Sequence, residues 1–86
     1  MKNAYKFMSR EALLLEYLGD VCVGLGYCLP PLIKEDMAKN PGTSPEGFVR
    51  RIIQNEGLEP NQFPDHYDEM LKMLRERVGQ KIPAIQ

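Results

Sequence analysis

The stretch "LEYLGDVCVGLGYCLPPLIKED", Leu15 to Asp36, decides how the chain is read. It holds both cysteines, three of the seven glycines, and an apolar run interrupted early by Glu16 and Asp20. Four meanings compete for it: a metal or redox site, a membrane segment, a phosphate loop, or the end of one helix and the start of another. Helical periodicity favours the last. Leu14, Leu18, Val21, Cys22 and Leu25 recur at three- and four-residue spacing, while Glu16, Asp20 and Gly24 fall on another face. Ser9 is the N-cap, Glu11 lies in the first turn, and the helix is expected to stop between Gly24 and Gly26, where glycine supplies a left-handed termination.

The rival meanings lack their residues. Val21 to Ile33 contains two prolines and falls short of the ~20 apolar residues that span a bilayer. The "GLG" at 24–26 fits neither G-x-G-x-x-G nor G-x-x-x-x-G-K-[ST]. Cys22 and Cys28 are spaced C-x5-C, outside the usual C-x2–4-C zinc pattern, and the chain has a single histidine. A continuous helix between them would rise about 9 Å, past the ~7 Å Cα limit for a disulfide. The intervening glycines offer a bend, but a cytoplasmic address disfavours oxidation. Both cysteines are therefore expected to be reduced, metal-free, buried thiols.

Working outward, "LPPLIKEDMAK" restarts helix at about Pro31 and carries it to Lys39, with Leu32, Ile33 and Met37 expected inward. After "NPGTS", Ser44 caps a third helix over about 45–56 that buries Phe48, Val49, Ile52 and Ile53 and ends at Gly57, with Leu58 folding back. Pro64 and Asp65 open a fourth, whose stripe is Tyr67, Met70, Leu71, Leu74 and Val78, closed by Gly79. Met37 and Met70 read as core, and His66 in "PDHYDE" reads as part of a solvated helix start. The expected fold is all-α: a single domain over residues 1–86 forming a bundle of about four helices. Residues 1–9 are an N-terminal arm or helix extension and 80–86 a loose tail.

Composition narrows the function classes. With 86 residues, 43% hydrophobic and 27% charged, the chain is an ordinary small globular domain with little room for a deep substrate cavity. Its net charge of −1 and pI of about 5.8 give no general attraction to nucleic acid or anionic lipid. No secretory signal is visible, so the expected location is cytoplasmic. Locally, residues 11–36 set five acids against Lys34 alone. No catalytic constellation, metal site or cofactor motif is present, so the reading is that of a non-enzymatic binding module. Glu16, Asp20, Glu35 and Asp36 are its candidate partner surface, suited to a basic protein.

Two alternatives accompany this reading. Arg50, Arg51, Gln54 and Asn55 lie on the outer face of the third helix, where a helix-turn-helix places its DNA contacts. The surrounding acids at 35, 36, 46, 56 and 59 weigh against phosphate neutralisation. A structural homo-oligomer is the other, and the chain is expected to be a monomer or homodimer.

The leucine-rich opening helix, "LPPLIKEDM", a short helix, and then "NEGLEPNQFPDHYDEMLKML" together resemble the layout of small all-helical immunity proteins of bacterial polymorphic toxin systems, of the MafI type. The resemblance covers about residues 11–78. It implies a cytoplasmic protein that binds a cognate toxin domain, often a cationic nuclease, and blocks it. That family shares no catalytic residues, so none is assigned here on its account.

Overall fold

The computed structural model describes residues 9–78, which form four α-helices: α1 (Arg10–Leu25), α2 (Pro31–Lys39), α3 (Pro45–Asn55) and α4 (Pro64–Val78). Each boundary has a local cause. The Ser9 hydroxyl accepts from the Ala12 N–H at 3.0 Å, filling one of the donors that a helix start leaves open. At the other end of α1, Gly26 adopts φ +84° and its N–H bonds to the Cys22 carbonyl at 3.0 Å. That is the left-handed cap anticipated from the glycines.

Pro31 occupies the first position of α2, where a missing N–H costs nothing. Asn40 ends this helix, its N–H on the Asp36 carbonyl at 2.8 Å. Ser44 accepts from the Gly47 N–H at 3.0 Å to begin α3. Gly57, at φ +78°, ends it in a Schellman arrangement: the Leu58 N–H reaches the Ile53 carbonyl and the Gly57 N–H reaches that of Gln54. One feature was not anticipated, a 3₁₀ turn over Pro60–Gln62 within the loop that leads to α4.

The core is drawn from all four helices. Leu14, Tyr17, Leu18 and Val21 of α1 meet Met37 and Ala38 of α2, Phe48, Val49, Ile52 and Ile53 of α3, and Met70, Leu71 and Leu74 of α4. Helix α1 packs on α2 and α4, and α3 packs on α4. Tyr17 is wholly buried, and its hydroxyl donates to the Met70 carbonyl at 2.8 Å, so its one polar atom is satisfied inside the core. Burial drives its pKa upward.

Leu32 departs from expectation, being 80% exposed rather than inward. At 100° per residue it lies roughly 140° around α2 from Met37, whereas Ile33 lies within about 40°. A nine-residue helix has only one buried stripe, and Ile33, Met37 and Ala38 take it. Of the expected arm at 1–9, residues 1–8 fall outside the described residues, as do the tail at 80–86 and the cap at Gly79.

Candidate functional site

The turn between α1 and α2 is where the structure most alters the sequence reading. Cys22 and Cys28 are joined in a disulfide, their Cα atoms 4.3 Å apart. The expectation of two reduced thiols is thereby overturned. It rested on the helical rise and on a cytoplasmic address set against the bend that the glycines offer; that bend is what forms, as Gly26 reverses the chain after Leu25 and brings residue 28 back beside the last turn. Cys28 is exposed and Cys22 half-buried, so the bond lies at the surface rather than in the core.

Tyr27, inside that small ring, turns inward and is buried. Its hydroxyl lies 2.7 Å from Nδ1 of His66 on the first turn of α4. The imidazole stacks on Phe63 with centroids 5.8 Å apart and takes the Tyr27 ring against its edge at 5.5 Å. His66 is thus a half-buried packing residue, and the solvated role expected for it does not hold. Burial, and secondarily the nearby Glu56 carboxylate, raise the Tyr27 pKa, so the phenol stays protonated at this contact. The fold does bring His66 to the cysteine-bearing turn. A Cys–His nucleophile is nevertheless not formed there, because both sulfurs are bonded to each other.

The four candidate acids divide into two pairs. Glu16 and Asp20 both receive Arg77 of α4, whose side chain is only 16% exposed. Their mutual repulsion is therefore relieved within the chain and does not call for a basic partner. Asp36 is 68% exposed, accepts from Asn40 Nδ2 at 3.1 Å, and has Arg51 at 4.0 Å, a distance at which an exposed pair contributes little. Glu35 is exposed.

The candidate DNA-contacting residues also separate. Arg51 was expected outward, but it folds back half-buried and donates to the Asn40 carbonyl at 2.7 Å, tying α3 to the end of α2. The Arg50 guanidinium lies 5.9 Å from the Tyr67 ring centroid, within cation–π range. Gln54 and Asn55 are exposed. A second buttress, Arg75 on Glu46 at 2.7 Å, holds α4 to the start of α3.

Among the described residues, no group of three or more His, Cys, Asp or Glu is placed to hold a metal ion. No helix there is long and apolar enough to cross a membrane. The groove between α1 and α4, about 310 Å³, is lined by Tyr17, Asp20, Met73, Glu76 and Arg77 and is open and mixed in charge. What the sequence reading missed is apolar: Val23, 89% exposed in the last turn of α1, and Leu32 in the first turn of α2 stand in water. The signal for Leu32 was its angle from Met37. For Val23 it was the next residue after Cys22, off the Leu14–Leu18–Val21 stripe.

No protein-family model, curated protein or solved structure matches this chain.

Proposed function

We propose that the chain is a non-catalytic protein-binding module of the immunity or small-adaptor kind, which acts by covering part of another protein. One observation carries this reading. Val23 and Leu32 are left in solvent on either side of a turn held by a cystine, a left-handed glycine cap and the Tyr27–His66 contact. Aliphatic side chains left in water gain from being covered by a partner, and a turn closed by a covalent bridge has less freedom to lose on association. The charged side chains of the neighbouring faces are spent on internal contacts instead: Arg77 on Glu16 and Asp20, Arg75 on Glu46, Arg51 on Asn40. A toxin domain is the partner we propose, on the resemblance of the helical layout to small immunity proteins.

The test is affinity purification of the tagged, oxidised protein from its host, followed by reconstitution with the purified candidate and calorimetry. A saturable complex with one protein is the expected result. A competable shift of host DNA that weakens steeply with salt and is lost in Arg50→Ala would overturn it in favour of the helix-turn-helix.

A further inference from the structure

Independently of the protein-binding reading, we infer that the Cys22–Cys28 bridge is a site of reversible thiol–disulfide exchange. A low-molecular-weight thiol enters it at the Cys28 sulfur, Cys22 closes it again, and the four-helix fold is kept in both states.

Access comes first, because exchange begins with a thiolate reaching one sulfur of the bond, and exposed bridges are the labile ones. Cys28 is exposed and Cys22 half-buried. Within the ring that the bridge closes, Val23, Gly24 and Gly26 are exposed as well. Among the described residues, no atom from elsewhere in the chain lies within 4 Å of the place where a β-carbon would stand on Gly24 or Gly26. The outer side of the turn is open to a small reagent.

The second requirement is a fold that does not depend on the bond. Neither cysteine belongs to the hydrophobic core. The turn keeps three anchors that contain no sulfur: the Gly26 N–H on the Cys22 carbonyl at 3.0 Å, the buried Tyr27 edge-on to His66, and the buried Leu29. The cysteines are only six residues apart, so opening the ring returns little freedom to the unfolded chain. The same anchors keep Cys28 beside Cys22 once the bond has opened. Closure is then an intramolecular reaction between groups already held together.

The exchange balances as two displacements. The reagent thiolate attacks Cys28 Sγ, the S–S bond breaks, and its electron pair leaves with Cys22 Sγ, which takes a proton from water. The product is a mixed disulfide on Cys28. Return of the Cys22 thiolate to Cys28 Sγ expels the reagent and restores the bridge, with no net oxidation. Attack by a second reagent thiolate on the reagent sulfur of the mixed disulfide releases the reagent as its own disulfide. Two electrons have then passed to the chain, and both cysteines are thiols.

The experiment mixes the full oxidised chain with excess glutathione in mildly alkaline native buffer. Loss of the bridge is followed by alkylation and intact mass, with circular dichroism recorded alongside. The rate should rise in proportion to glutathione, the reduced chain should keep its helical signal, and glutathione disulfide should restore the bridge. Cys22→Ser and Cys28→Ser chains are treated separately with glutathione disulfide, and the adduct on Cys28 should form roughly tenfold faster than that on Cys22, following exposure. A rate that ignores glutathione concentration and matches global unfolding overturns the proposal by making the bridge a structural staple. Loss of helix on reduction, failure of glutathione disulfide to re-form the bridge, or an adduct on Cys22 as fast as that on Cys28 overturns it too. The reduction kinetics use the natural sequence, so they decide even where a single-serine chain fails to fold.

Discussion

The Tyr27 hydroxyl and Nδ1 of His66 share a hydrogen bond of 2.7 Å across 39 residues of chain, which couples the α1–α2 turn to the beginning of α4. Tyr27→Phe should remove it and cost about 1 kcal/mol, the typical net value of one hydrogen bond. A urea midpoint unchanged by that substitution would show that the contact adds nothing to the fold.

Alkaline pH should weaken the fold. Burial raises the pKa of both Tyr17 and Tyr27, so the folded chain keeps phenolic protons that the unfolded chain loses near pH 10. Below pH ~10 both states are protonated and this contribution is complete. Above it the unfolded state binds fewer protons, and stability falls by up to ~1.4 kcal/mol per pH unit for each tyrosine. Urea unfolding at pH 8, 10 and 11, with phenolate absorbance followed in parallel, should show the decline. Tyr17→Phe should make it shallower.

Intact mass with and without alkylation should find no free thiol in the protein purified without reductant. Closing so small a ring restricts the unfolded chain only modestly, so replacing both cysteines by serine is expected to cost about 2 kcal/mol. Retention of the parent's full stability by that variant would show that the glycine cap and Tyr27 hold the turn without the sulfur bridge.

Arg77 should behave as a clamp. It is largely buried between two carboxylates that remain nearly half exposed, so solvent screens much of the attraction. Arg77→Met is expected to cost about 1 kcal/mol, less at high salt. A double-mutant cycle with Asp20→Asn should return a coupling of ~0.5–1 kcal/mol. Glu16→Lys with Asp20→Lys should now destabilise the fold, because both new ammonium groups face the guanidinium.

Ile52 and Leu74 are both fully buried, and truncation of either to alanine should cost ~2–4 kcal/mol in urea melts. From its sequence position Arg51 appears dispensable. Its hydrogen bond to the Asn40 carbonyl changes that expectation, and Arg51→Ala should cost about 1 kcal/mol.

These expectations differ in how much of each was legible in the sequence. The helices were, because their ends carry residues with one dominant local meaning: serine caps at 9 and 44, prolines at 31, 45 and 64, glycines at 26 and 57. So was most of the core, because Phe48, Val49, Ile52 and Ile53 repeat with the helical period. The disulfide was not, since a C-x5-C spacing has no fixed geometry until the left-handed glycine has turned the chain. Nor were the partners of Glu16, Asp20 and His66, which come from residues 77 and 27, far along the sequence. Periodicity ranks positions on one helix. It carries no information about which charged residue of another helix arrives opposite them.

The hydrogen bond from Tyr17 to Met70 has a consequence for how the chain is made. During synthesis α1 emerges with a tyrosine hydroxyl and an apolar stripe, whereas the carbonyl that accepts from that hydroxyl is made 53 residues later. Until α4 arrives, the side of α1 that Met70, Leu71 and Leu74 cover stays open, and a chain stopped after α3 would present an apolar trough. Folding of this bundle therefore waits for α4, and fragments that lack it should be recognised as unfinished and removed.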